Sequence, residues 1–242
     1  MTETVEVHSL RAARVISVSR LWRIAIFRFT FLLVMHFLSA SFRRSFLIAA
    51  ALACAAPRPG AAENMAAIAF LEKLSLSPAS TPVLTLCHGF GCAFRNEFVV
   101  TPARLSFIRA TLAGARSAKD ERKALSRIVA WYDREGGRVA GTVNRVAYAG
   151  LDTKSGPTQM DCIDLTANIT ELLILLERSN MLRFHQVGEP VSRGLIVDGN
   201  RPHTTPVIVE IRDGSEWSLD SWTHAYGETP DIMTIAEWQN RN

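Results

Sequence analysis

Apolar residues recur at helical spacing in two long stretches of the chain. In "KDERKALSRIVAWYDREGG" (119–137), Leu125, Ile128, Val129 and Tyr132 share one face and charges fill the other. That pattern predicts an amphipathic helix with a solvated charged side, ended by Gly136 and Gly137. In "DCIDLTANITELLILLER" (161–178), Leu165, Ile169, Leu172, Leu173 and Leu176 repeat the spacing, and Ile174 and Leu175 widen the apolar face. Here the prediction is a helix buried on most sides, with Asp161 or Asp164 capping or complementing its start. Pro102 marks another helix start in "TPARLSFIRATLAGA". Beyond residue 180 the period shortens. "RFHQV", "RGLIVDG", "HTTPVIVEI" and "EWSLDSW" read as short strands, the last two joined by a "RDGS" turn. The class expected is α+β, one central helix preceding an antiparallel sheet. Residues 63–86 read as a linker or short helix ending before "SPASTP", and 138–159 show no periodicity.

Charge and hydropathy divide the chain unevenly. Eight arginines and only two glutamates precede residue 63, a surplus of six that exceeds the whole-chain charge of +4 and leaves the remainder at −2. The basic balance therefore belongs to the first 62 residues and is no argument for a nucleic-acid partner. Within this leader, "IAIFRFTFLLVMHFLSA" (24–40) is 17 residues long and contains Arg28 and His36, marginal for a bilayer span. "SFRRSFLIAAALACAAPRPGAAEN" has the three parts of an export signal: the Arg43–Arg44 pair, an apolar run over 46–56 and a small-residue cleavage zone near Ala62. Its arginine pair also resembles a twin-arginine signal, and "ALAC" resembles a weak lipobox at Cys54. The expected organisation is a leader over 1–62, a helical part over 63–150 and a core over 151–242. Localisation is expected to be exported and periplasmic, or anchored in a membrane through 24–40.

Export alters how the four cysteines are read. Cys54 lies in the leader, while Cys87 and Cys92 in "CHGFGC" are close enough to bridge around a glycine-containing turn. Cys162 is left over, and an odd thiol in an exported chain is either buried or reactive. No second ligand pair at zinc spacing accompanies Cys87, His88 and Cys92, so no metal or other cofactor is expected. The predicted helix places Cys162 at its N-terminus, where free N–H groups and the dipole favour a thiolate.

A base and its orienting partner are available on the predicted hairpin. If Asp213-Gly214 closes a two-residue turn, residue 220 pairs with 207, so His203 and Asp220 share a face. Their offset of four residues is about 13 Å, which requires a bulge or a longer turn to close. The same register sets His224 opposite His203 as a competitor. His185, in an apolar strand, reads as a satisfied core histidine. Gln159 is an oxyanion-donor candidate, with the Cys162 N–H as the safer one.

The order of cysteine at a helix start, histidine opening a strand and aspartate on the next strand is carried by "GPTQMDCIDLTANITELLILLERSNMLRFHQV" and "RPHTTPVIVEIRDGSEWSLDSW". Residues 157–222 resemble the transglutaminase-like cysteine proteinase superfamily, which has a papain-like core. The resemblance implies a Cys162–His203–Asp220 triad, with Trp217 as the aromatic residue shortly before the aspartate. It implies acyl transfer at an amide through a thioester, with a peptide, protein or peptidoglycan-derived substrate. Water as acceptor gives a peptidase or amidase, an amine a transglutaminase. The alternative is a noncatalytic envelope binding module on the same fold.

Overall fold

A computed structural model describes residues 60–78, 82–150, 156–194 and 202–241. Both apolar pieces before residue 60, with the export signal and Cys54, lie outside these residues, as does most of "RGLIVDG". In chain order the elements are α1 (Gly60–Lys73), β1 (Val83–His88), β2 (Phe94–Val99), α2 (Pro102–Ala113), α3 (Ala118–Ala140) and α4 (Cys162–Arg178). They continue with β3 (His185–Arg193), β4 (His203–Glu210), β5 (Glu216–Asp220), β6 (Asp231–Thr234) and α5 (Ile235–Gln239). The class is α+β with two antiparallel sheets: the hairpin β1–β2, and a four-stranded sheet in the order β3-β4-β5-β6. Among the described residues no helix is long and apolar enough to cross a membrane.

One buried cluster joins the parts on either side of residue 150. Leu84, Leu86 and Phe98 of the hairpin, Leu125, Ile128 and Val129 of α3, and Leu172, Leu173 and Leu176 of α4 share it with Val187, Ile208 and Leu219 of the large sheet. The stretch 63–150, expected to be helical, thus also supplies a hairpin to the core. Its strands lack a clear alternation, since β2 is exposed at every residue except Phe98. The loop between them takes four successive positive φ angles, at Gly89, Phe90, Gly91 and Cys92, and Cys87 is disulfide-bonded to Cys92 across it.

The end of α3 differs from the reading of its sequence. The helix runs through Gly136 and Gly137 to Ala140 and stops at Gly141, which has φ 75° and donates its N–H to the Gly137 carbonyl. The two internal glycines serve close approach. A Cβ on Gly136 would lie 2.9 Å from Leu86, and one on Gly137 would lie 2.4 Å from the Tyr226 ring. The expected strands "RFHQV" and the start of "RGLIVDG" form one continuous strand, β3, kinked where its register with β4 shifts between Gly188 and Val191.

Candidate active site

Cys162 is the first residue of α4. Asp161 caps the helix, its carboxylate accepting from the Asp164 N–H at 2.9 Å while Asp164 accepts from the Asp161 N–H at 3.2 Å, a capping box built from two aspartates. The carboxylates do more than cap. Asp164 also accepts from the N–H groups of Phe90 (2.8 Å) and Cys92 (2.6 Å), and Asp161 from that of Gly91 (3.0 Å). Further along α4, Asn168 bonds the N–H and the carbonyl of Cys87, and Glu171 accepts from the Thr85 N–H. Positions 161, 164, 168 and 171 form one polar stripe at helical spacing that grips the backbone of the β1–β2 hairpin. The aspartates flanking the cysteine in "DCID" therefore hold a disulfide-closed loop against the start of α4. The positive φ at Phe90 and Cys92 is uncommon for residues with a Cβ, and these bonds with the disulfide over-determine it.

The other side of the site comes from β4, β5 and α5. β4 and β5 pair Val207 with Ser218, Ile208 with Trp217 and Val209 with Glu216. The Glu210 N–H meets the Ser215 carbonyl, and Gly214 turns back with its N–H on the Glu210 carbonyl and φ 72°. The turn is thus four residues, Ile211 to Gly214, and not the two expected. The added pair slides the register by two, which keeps each face and halves the offset between His203 and Asp220. His203 Nε2 lies 2.6 Å from Asp220 Oδ2, both side chains being almost fully buried. Extending the ladder sets Trp222 opposite His203 in place of His224, and the two rings lie 4.4 Å apart.

Asp220 is held by three donors. His203 Nε2 and the indole N–H of Trp238 (2.8 Å) share Oδ2, and the Trp222 backbone N–H reaches Oδ1 at 3.1 Å. The rings of Trp222 and Trp238 both pack on the imidazole, Trp238 at 5.2 Å. Trp222 is fixed in turn by its indole N–H on the Ala149 carbonyl, and the Arg193 guanidinium covers the Trp238 ring at 4.5 Å. The second imidazole nitrogen, Nδ1, is buried and has no partner among the described residues.

Thr204 links the two halves. Its carbonyl accepts from the Thr166 hydroxyl of α4 at 2.9 Å, and its backbone N–H is among the groups that favour the Cys162 thiolate. The helix that Cys162 opens thus meets β4 one residue from His203. Burial, with the charges of Asp161 and Asp220, pushes the Cys162 thiol up to about 11 against the Thr204 and Cys162 N–H groups that favour thiolate. The shift is opposite to the low thiol pKa expected from a helix N-terminus: desolvation, with the Asp161 and Asp220 charges, outweighs the two N–H groups.

Three other candidates take different places. The Gln159 amide donates one N–H to the Asn144 carbonyl and accepts from the Val146 N–H, strapping the irregular loop before α4. His224 lies in the loop after β5 between Asp231 (3.1 Å) and Glu228 (3.4 Å). Trp217 points to the face opposite Asp220, beneath the Arg122 guanidinium at 3.7 Å, so the aromatic cover of the histidine comes from Trp222 and Trp238. His88, next to the disulfide, has both ring nitrogens occupied, by the Pro157 carbonyl and the Asn96 amide oxygen. Trp238 escaped the sequence reading, although "TIAEW" carries a Thr-x-x-Glu capping box that announces α5. Comparison with family models, with curated proteins and with solved structures finds no match to this chain.

Proposed function

We propose that the protein is an exported thiol-dependent acyl-transfer enzyme acting on amide bonds through Cys162, His203 and Asp220, on a papain-like, transglutaminase-like core. One observation carries this reading: a buried imidazole has one nitrogen locked to a carboxylate and the other without a partner among the described residues, one residue along β4 from Thr204, whose carbonyl is bonded to the helix that Cys162 opens. With a thiol protonated up to about pH 11, the proton leaves during attack and not beforehand. His203 Nδ1 takes it as Cys162 Sγ bonds to the carbonyl carbon, and the Cys162 N–H faces the developing oxyanion. The imidazolium, held by Asp220, returns the proton to the leaving amine as the C–N bond breaks, giving a thioester. Water or an amine then resolves it by the same steps in reverse. The flanking peptide substrate and the leader-dependent periplasmic location belong to this reading.

The raised thiol favours a second reading, a noncatalytic envelope module in which Cys162 is an inert core thiol. Iodoacetamide labelling of Cys162 from pH 6 to 8, followed by mass spectrometry, separates the two. Base assistance predicts a rate that rises as an imidazole deprotonates and that falls in His203→Ala. Equal rates in parent and variant throughout that range would leave the binding module standing. A hydroxylamine-labile acyl adduct on Cys162 after exposure to peptidyl amides would identify the acyl-enzyme directly.

A further inference from the structure

On the face of the sheet away from His203, α3 and the β5–β6 end enclose an open groove of about 620 Å³, within the size range of ligand clefts. Its wall is basic. Lys119, Lys123 and Arg127 recur at every fourth residue of α3, all exposed, a row about 12 Å long at helical rise. Among the described residues none of the three forms a salt bridge. Asp120, which feels the Lys123 and Lys119 charges, is hydrogen-bonded instead by the Ser117 hydroxyl and the Arg116 N–H, and Arg122 is paired with Glu210 at 2.9 Å. Apart from Arg122 and Ser126, the rest of the lining is apolar: Trp217, Pro230 and Ile232. Such a concentration of positive charge is unexpected in the part of the chain whose net charge is −2.

We propose that this groove docks an acidic, extended peptide segment of a partner protein, with an apolar residue on Trp217, Pro230 and Ile232 and carboxylates along Lys119, Lys123 and Arg127. Charge complementarity selects an anion. The apolar lining selects one with side chains to bury, since a polyphosphate or a nucleic-acid backbone offers nothing to those three residues. A stacked base or sugar is disfavoured because the Arg122 guanidinium already occupies a face of the Trp217 ring. The row of cations matches three to four residues of extended chain at about 3.3 Å each. Ile232 belongs to β6, the edge of the sheet, where an extended chain can lie.

The test is fluorescence anisotropy of the full-length protein with a labelled peptide of six glutamates around a central leucine, in low salt. Binding should weaken about tenfold in Lys119→Glu/Lys123→Glu/Arg127→Glu and about as much between 50 and 200 mM salt. A peptide with serine at the centre should bind several-fold more weakly. The three changes sit on an exposed helix face, and the corresponding triple Gln variant, which should show an intermediate loss, removes charge without adding repulsion. Cys162→Ala should bind as the parent does, so the docking site stands or falls apart from the acyl-transfer reading. Unchanged affinity in the charge-reversed protein, equal affinity for the serine peptide, or tighter binding of inorganic polyphosphate than of the peptide would each overturn the assignment.

Discussion

Among the described residues are two buried histidine–carboxylate pairs, and they are partnered differently. His185 on β3 meets Glu121 of α3 at 2.8 Å, and its other nitrogen lies 3.1 Å from the Arg122 guanidinium. Glu121 also accepts from the N–H groups of Arg183, Phe184 and His185. Every polar atom of that pair is spent on fastening the start of β3 to α3. His203 and Asp220 are as deeply buried, yet one imidazole nitrogen has no partner among the described residues, and the only thiol among those residues outside the disulfide opens the helix bonded to the next residue of β4. Burying a polar atom without a hydrogen bond costs roughly 1–3 kcal/mol; the Tyr132, Thr170 and Ser221 hydroxyls share that state, and His203 is the one to which the proposed function gives a use as a base.

Reactivity gives the sharpest contrast between the pairs. His203→Ala should lower the pH 7 alkylation rate of Cys162 by the range of general-base assistance, roughly 10²–10⁴-fold. His185→Ala should leave that rate unchanged in the folded protein and lower the melting temperature. Parallel rate measurements and thermal melts on both variants decide the matter. A fall in Cys162 reactivity in His185→Ala at temperatures where it remains folded would erase the distinction.

Stability should order the pairs the other way. Glu121→Ala strands a buried imidazole and three N–H groups, and breaking a buried pair of this kind costs about 3–5 kcal/mol. Asp220→Ala should cost less, because the donors it strands are two side chains with some freedom to turn and a single N–H. Urea titration compares them, and an equal or larger loss in Asp220→Ala would refute the ordering. Burial raises the Glu121 carboxyl, but the His185 bond and the Arg183 and Phe184 N–H groups outweigh it, and the net shift is downward. Its stabilisation is present above the ordinary carboxyl range near pH 4.3 and is lost as pH falls through the lowered value.

How much of this was legible in the sequence follows from which forces are local. Helical periodicity located α3 and α4, and Asp161 before an apolar run announced the start of α4 at Cys162. Strand alternation and the Asp213-Gly214 signal located the β4–β5 hairpin and put His203 and Asp220 on one face. Turn length was not legible: "RDGS" fits two- and four-residue loops alike, and only packing chooses between registers two residues apart, which expose the same side chains. The stop expected at Gly136 and Gly137 failed because their partners, Leu86 and Tyr226, lie far off in sequence. The polar stripe of α4 was hidden for the same reason: Asp164 reads only as a cap, and nothing in the sequence singles out Asn168 and Glu171 until the hairpin they hold is in place. The thiol pKa was misjudged because a helix end is a local feature, whereas burial and the Asp220 charge come from the tertiary fold.

The carboxylates of that stripe predict a smaller effect. Burial raises Asp164 and Glu171 to about 7, for Asp164 with the Asp161 charge adding to it, against the N–H bonds each accepts. A carboxyl whose folded pKa is raised contributes stability below its unfolded value near 4, and that contribution is lost as pH rises toward about 7. The protein should therefore melt several degrees higher at pH 5 than at pH 8. Glu171→Gln keeps an acceptor for the Thr85 N–H and removes the titration, so it should flatten the slope; an undiminished slope would exclude Glu171 as its source. The Glu121 pair shows the opposite sign in a lower window, which makes the two regions separable by pH alone.

The smallest effect expected concerns how Asp220 is held compared with Glu121. Three backbone N–H groups, which substitutions other than proline leave in place, hold Glu121 beside His185, whereas Asp220 depends on a side-chain donor, the Trp238 indole, for the oxygen it shares with His203. That donor draws charge away from Oδ2. Trp238→Phe keeps most of the ring against His203 and removes the N–H, so more of the carboxylate charge faces the imidazole and should hold its proton more tightly. The limb of the Cys162 alkylation profile should move to higher pH, with a few-fold slower reaction at pH 7. The lost charge-assisted bond should also lower the melting temperature. Trp238 is then a positioning residue acting through Asp220. A lower melting temperature in Trp238→Phe with an unmoved limb would reduce it to core packing, and Asp220 would need no orienting donor beyond the Trp222 N–H.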